Sequence, residues 1–205
     1  MTMNHPVYRL VWRTLLWILP CFLVWYWLGD VHVSLTGMLV RELVDMSFPV
    51  KVQMWEHYSS LVFEIPLSTG QTNADGSLLI LGTAKIEIDV LQHGVGLPLF
   101  IAMMLGTPDA SGRDLSIPVG VGILLAYEFV VVYCFVILGL IRVLHSLGVD
   151  TPILFGLSWH PQIISLALVL GKLVLPTFLA IVLWAVFNRR FIDANFLVVP
   201  AKQCS

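Results

Sequence analysis

Three residues near the end of a long apolar segment carry side chains suited to nucleophilic chemistry. Cys134, Arg142 and His145 are eight and then three positions apart, which places them near one face of a continuous helix. A thiolate beside an arginine and a histidine is the minimal set for a cysteine peptidase or transpeptidase acting within a membrane. Residues eight positions apart are, however, ~12 Å apart along a helix axis. We therefore interpret Cys134 as a packing residue and the two basic residues as interfacial, with the thiol enzyme kept as an alternative.

Two charged residues interrupt the longest apolar segments of the C-terminal half. Glu128 lies in the middle of residues 117–141, and Lys172 lies near the middle of residues 163–187. A charge at mid-bilayer is costly and normally needs a partner. If the two segments pack antiparallel, Glu128 lies opposite residues around 176, and Lys172 is one helical turn from that position. We therefore predict a Glu128–Lys172 contact that fixes the pairing of the two helices. An ion path in a transport or energy-transducing complex, or a contact with a partner subunit, are the alternatives.

The six histidines lack the spacing of a metal site. There is no HxxxH, HExxH or CxxC pattern, no glycine-rich phosphate loop and no nucleophile elbow. His32, His57 and His93 fall near the same predicted module, so a metal site made from them is an alternative to hydrogen-bonded, interfacial histidines. We expect no metal, no cofactor and no catalytic residue.

The composition indicates an integral membrane protein. Hydrophobic residues make up 58% of the 205 residues and charged residues 12%, against roughly a quarter charged in soluble domains. A net charge of −2 and the lack of a Lys/Arg cluster argue against nucleic acid as a partner. Three cysteines, Cys21, Cys134 and Cys204, do not indicate a disulfide framework.

Four apolar runs could cross the bilayer. The first, residues 10–28, has nearly the ~20 residues that a span needs, ends in an aromatic belt, and lacks a signal-peptide cleavage motif after it. Residues 117–141 and 163–187 are strong spans, whereas residues 90–105 are short and either span by tilting or form a re-entrant segment. If they span, the positive-inside rule places both termini in the cytoplasm.

The predicted fold class is therefore an α-helical polytopic membrane protein with about four transmembrane helices. Residues 1–28 form the cytoplasmic N-terminus and first span, and residues 90–205 form spans two to four with a cytoplasmic C-terminus. Glycines in the spans, Gly120, Gly122, Gly139 and Gly171, predict close helix packing.

Residues 29–89 are predicted to form an extracytoplasmic module. Apolar residues recur at helical spacing over residues 31–47, which predicts an amphipathic helix on the membrane surface or under the module. Period-two alternation over residues 60–67 and 84–90, with turn-forming residues 68–76 between, predicts a long-looped β-hairpin. Two strands alone are marginal in water, so the hairpin must rest on the helix, the membrane or a partner.

Three stretches carry a resemblance to a known family. They are residues 15–28 (LLWILPCFLVWYWL), residues 94–100 (GVGLPLF) after the alternating strand, and residues 175–191 with LPT and LWAVFNRRF. Their order resembles the exosortase H-associated membrane proteins. The resemblance implies an inner-membrane accessory of a Gram-negative protein-sorting system, in which the exosortase is a separate cysteine transpeptidase-like enzyme. Cys134 lacks the small-residue neighbours expected of that enzyme's nucleophile, and no functional residue carries over.

The favoured hypothesis is a non-enzymatic accessory or scaffold subunit of the inner membrane. It would engage an exosortase-like enzyme, or another membrane complex subunit, through its extracytoplasmic module. The thiol enzyme built on Cys134, Arg142 and His145 and the ion-path subunit built on Glu128 and Lys172 remain as alternatives.

Overall fold

Helices make up most of the chain that the structure, a computed structural model, describes. The described residues are 6–47, 53–57, 60–72, 78–108, 113–146, 166 and 169–196. The helices are α1 (Pro6–Trp27), α2 (Gly29–Ser47), α3 (Val90–His93), α4 (Gly96–Gly106), α5 (Arg113–Ser146), α6 (Leu175–Phe187) and α7 (Arg189–Phe196), with a π-helical turn at Leu170–Val174. The strands are β1 (Gln53–His57), β2 (Ser60–Thr72) and β3 (Leu78–Asp89).

Two of these helices are long and apolar enough to cross a membrane, at Val7–Trp27 and Asp114–Val143. They coincide with the predicted first and third spans. Leu175–Phe187 and Arg189–Asn195 meet at a bend of 78° and qualify together as a third, either a broken span or a re-entrant loop. The apolar segment Val90–Gly106 is shorter than a span. The described residues thus contain two or three candidate spans, and the four-span topology stays a prediction, since part of the fourth predicted span lies outside them.

The strands form an antiparallel sheet in the order β1-β2-β3, so the predicted hairpin has a third strand. In the β2–β3 register, Leu61 faces Ile88 and Phe63 faces Ile86, and all four of these side chains are buried. In β3, Lys85 and Glu87 alternate with these buried residues and are exposed, as the period-two pattern predicted. β2 extends to Thr72, into residues 68–76 that were predicted to be loop, and β3 begins at Leu78, before the predicted strand at 84–90. The register shifts after Leu67 and again after Ser68. Such irregular pairing lets turn-forming residues take part in a ladder.

The chain divides into two compact units. The first contains Met1–Tyr26, Gly94–Leu125 and Leu175–Ser205, and the second contains Trp27–His93 and Ala126–Val174. The long helix α5 therefore contributes its first part to one unit and its remainder to the other.

The core of the second unit lies between α2, the sheet and the later part of α5. Its buried members are Val33, Val40, Val44, Leu61, Phe63, Ile86, Ile88, Val90, Val132 and Val136. Helix α2 approaches the sheet through small and β-branched residues. A Cβ built on Gly37 would lie 2.9 Å from Cδ2 of Leu61 and 3.1 Å from Sδ of Met54, so any larger residue there would have to displace the ends of these two side chains. The helix packs beneath the sheet, one of the two positions expected for it.

The core of the first unit forms around α4, which is buried along most of its length. Glycines bring the backbones together, since a Cβ on Gly96 would lie 2.5 Å from the carbonyl oxygen of Pro176 in α6. A Cβ on Gly106 would lie 2.7 Å from the backbone nitrogen of Thr14 in α1. Gly96, inside the short apolar run 90–105, and Gly106, just after it, therefore allow close packing of α4 against α6 and α1.

Candidate functional site

A buried histidine–glutamate pair joins α2 to α5 within the second unit. Nε2 of His32 lies 2.6 Å from Oε1 of Glu128, with the two side chains 8% and 2% exposed. The two atoms share a buried hydrogen bond. His32 lies at the start of α2, where its backbone N–H donates to the carbonyl of Leu28. The pair spans 96 positions of sequence, so it is a tertiary anchor that fixes α2 against the apolar helix α5.

Glu128 thus has a partner other than the predicted one. Lys172 lies on the π-helical turn, half-buried, and no hydrogen bond or ion pair joins it to Glu128 in the described part of the chain. The prediction compared only the two long apolar segments, whereas the hydrogen-bond partner of Glu128 comes from α2. Oε2 of Glu128 is buried without a hydrogen-bond partner among the described residues. Breaking a buried pair of this kind leaves an uncompensated polar group, which is strongly destabilising.

His93 is a second buried histidine of the same unit. Its Nδ1–H donates to the carbonyl of Asp89 at 2.7 Å, and its ring packs edge-on against Phe135 with the ring centroids 4.6 Å apart. Its Nε2 has no hydrogen-bond partner among the described residues. The short helix α3 that carries His93 contacts the π-helical turn that carries Lys172. The structure therefore brings the elements that carry His93 and Lys172 into contact, and it pairs His32 with Glu128.

The three residues of the thiol-enzyme alternative all lie on α5, as predicted. Cys134 and Arg142 are both exposed on this helix. No hydrogen bond joins Sγ of Cys134 to any residue that the structure describes. The side chain of His145 lies outside the described part. The thiol-enzyme alternative therefore stays a prediction.

No metal centre is found within the described residues, where no group of three or more His, Cys, Asp or Glu side chains could hold an ion. His32 and His93 make separate contacts, with Glu128 and with the carbonyl of Asp89. The side chain of His57, the third histidine of the alternative site, is not described.

A polar network in the first unit was not singled out from the sequence. Nε1–H of Trp184 donates to Oγ1 of Thr107 at 2.8 Å, and that hydroxyl donates to the carbonyl of Met103 at 2.8 Å. Nδ2 of Asn188 donates to the carbonyl of Trp184 at 2.9 Å and contacts Sδ of Met104 at 3.1 Å. The network ties the end of α4 to the end of α6. The one available signal was an asparagine at the end of the last apolar run, where a buried polar group needs partners.

Helix α2 has a second, exposed apolar face, which we name the α2 stripe. Its members, each at least half exposed, are Val31, Leu35, Met38, Leu39 and Met46. Several of them were the residues whose spacing predicted the amphipathic helix, yet the face that packs on the sheet is formed by Val33, Gly37, Val40 and Val44. The helix is therefore apolar on two sides, and one side is covered.

Comparison with curated proteins and with solved structures yields no match. Residues 4–191 match the model of one family, described as exosortase H-associated membrane protein, which confirms the resemblance found in the sequence. The match covers most of the chain and includes the elements that form both units. The chain belongs to the exosortase H-associated membrane protein family.

Proposed function

We propose that this chain is a non-enzymatic accessory subunit of an exosortase-type protein-sorting system in the bacterial inner membrane. Residues 29–89 lie on the extracytoplasmic side, both termini are cytoplasmic, and the exosortase is engaged through this module. The family description supports an association with exosortase H. The observation that carries the proposal is helix α2, which packs on the sheet with one apolar face and leaves the opposite apolar face uncovered.

The way α2 is held supports a role as a rigid platform. Gly37 allows contact between the helix and the sheet, and the His32–Glu128 bond anchors the start of the helix to α5. A helix fixed at its start and along one face presents its other face without further ordering. Preorganisation of this kind reduces the entropic cost of association.

The polar face of the sheet supports an aqueous location for the module. Nζ of Lys85 lies 2.6 Å from Oε1 of Glu64 across the β2–β3 pair, and the hydroxyl of Ser60 donates to Glu87 at 3.1 Å. Lys85 is 68% exposed, so this face is suited to water rather than to lipid.

The non-enzymatic role rests on the surroundings of Cys134, an exposed thiol on an apolar helix without a described basic partner. A thiolate nucleophile requires a cationic or base-assisted environment.

Co-purification tests the association. The tagged full chain and the exosortase of the same genome are co-expressed and extracted in a mild detergent. We expect the two proteins to elute together at a fixed ratio. A stable monomer of this chain, with the exosortase recovered separately, contradicts the proposal.

A substitution tests the absence of thiol catalysis. Cys134→Ser should leave sorting of a C-terminally signalled substrate unchanged in vivo, and Cys21→Ser serves as the matched control on another apolar helix. If sorting is lost in Cys134→Ser but not in Cys21→Ser, at normal protein level, the thiol-enzyme hypothesis is favoured instead.

A further inference from the structure

An acidic residue lies in the middle of the α2 stripe. Met38, Glu42 and Met46 follow one another at intervals of four residues, and Leu35 lies seven residues before Glu42, so all of them share one helical face. Glu42 is exposed, and no hydrogen bond or ion pair joins it to another described residue. Its neighbour Arg41 instead lies 3.7 Å from Asp45 on the polar rim of the helix.

The position of Glu42 argues against lipid as the occupant of the stripe. Helices that lie in the membrane interface bury a continuous apolar face and keep charged residues, mostly basic, on the opposite face. If the α2 stripe were inserted into the acyl region of the membrane, the carboxylate of Glu42 would enter that region together with Met38 and Met46. Immersion of an acidic side chain is costly unless it is paired.

A second copy of this chain is also a poor occupant. The stripe contains five apolar residues and Glu42 but no lysine or arginine. If two α2 stripes packed against each other, both Glu42 carboxylates would be buried, and neither stripe would supply a cationic side chain to pair with them. Like charges brought together in an interface are unfavourable.

We propose that the α2 stripe is a docking surface for a membrane protein whose complementary face is apolar and has a lysine or arginine at its centre, which pairs with Glu42. The inference rests on the proposed function, for which it names the contact surface and the partner's chemistry. Met38 and Met46 supply adaptable apolar contacts on either side of the carboxylate. The charge pair at the centre, excluded from water by these side chains, determines which partner binds.

Site-specific photo-cross-linking tests the surface. A benzophenone amino acid is placed at Leu35 or Met46 on the stripe, and at Asp30 or Arg41 on the polar rim as matched controls. The full chain is co-expressed with the exosortase and irradiated in membranes. We expect the stripe positions to cross-link to the exosortase at least about fivefold more than the rim positions, because central contacts are shielded from solvent.

The other cross-linking outcomes overturn the surface. Adducts with a second copy of this chain, or with lipid alone, refute the proposed occupant. If the exosortase still co-purifies but only rim positions cross-link, the α2 stripe is not the contact and the accessory function stands. If the exosortase does not co-purify with the unmodified chain, the proposed function itself fails.

Charge substitution tests Glu42. Glu42→Lys should reduce the co-purified exosortase by at least about tenfold, since opposing charges at an interface centre are repulsive. Glu42→Gln should have a smaller effect in the same direction, whereas Asp30→Asn, the matched neutralisation on the same helix, should have none. Exchange of the exosortase lysine or arginine that lies next to the mapped cross-links for glutamate should restore binding to Glu42→Lys. Unchanged binding in Glu42→Lys overturns the proposal, and unchanged thermal stability of the isolated variants shows that they fold.

Discussion

Two glycines on α5, two positions apart, are expected to respond in opposite ways to the same substitution. A Cβ on Gly120 would lie 2.2 Å from Cζ and 2.4 Å from Cε1 of the Phe100 ring. A Cβ on Gly122 would meet no atom within 4 Å. Gly120→Ala should therefore destabilise the first unit, and Gly122→Ala should not.

The magnitude follows from the freedom of the Phe100 ring to move. Phe100 is fully buried, and its ring packs against Phe187 with the centroids 6.2 Å apart. The ring must shift by more than an ångström to reach ordinary van der Waals contact, inside a packed core. Overpacking of this kind costs about 1–3 kcal/mol. Replacement of glycine by alanine in a helix returns about 1 kcal/mol at either position.

The difference between the two variants isolates the steric cost, because both make the same change on the same helix. We expect Gly120→Ala to be less stable than Gly122→Ala by about 1–3 kcal/mol. Reversible unfolding of the purified variants in mixed detergent micelles measures this difference. Adding Phe100→Leu should recover part of the loss in Gly120→Ala and should only destabilise Gly122→Ala.

The reasoning is refuted if the two variants unfold together. Equal stability would mean that α4 and α5 can separate at this point without loss, and that the contact between Gly120 and Phe100 does not contribute to the core.

Further substitutions test two buried polar contacts. His32→Ala or Glu128→Ala should each lower the free energy of unfolding by about 3–5 kcal/mol. Replacing both residues by leucine should recover much of that loss. Additive losses in the unfolding assay would show that the two residues act independently. Trp184→Phe removes the hydrogen bond to Thr107, whose hydroxyl keeps its bond to the Met103 carbonyl. The expected loss is about 1 kcal/mol by the same assay, and an unchanged midpoint would count against that bond.

The parts of the fold that follow from strong local patterns could be predicted from the sequence. Continuous apolar runs identified α1 and α5, and the alternation of residues 84–90 identified β3 together with its buried face. These signals are local, because hydrophobic length and period two report directly on a span or on a half-buried strand.

The parts that depend on tertiary partners could not be predicted. Strand β1 is short, and Met54 is its one apolar residue that faces the sheet core, so pairing with β2 determines it. The large apolar residues of α2 mark its uncovered face, whereas valines and Gly37 mark the packed one, because close approach favours small side chains. The partner of Glu128 lies 96 positions away, beyond the reach of helical periodicity.

The origin of the second unit's core in distant parts of the chain has a consequence for biogenesis. The core residues that pack against the sheet include Val132 and Val136 of α5, and a Cβ on Gly139 would lie 2.8 Å from Cγ2 of Ile86. When β3 leaves the ribosome, neither these α5 residues nor the glutamate that bonds to His32 has been synthesised. At ~5–20 residues per second, the sheet and α2 must wait on the order of seconds until α5 has been made. In the proposed topology, insertion of α5 into the membrane is therefore the step that completes the core of the second unit.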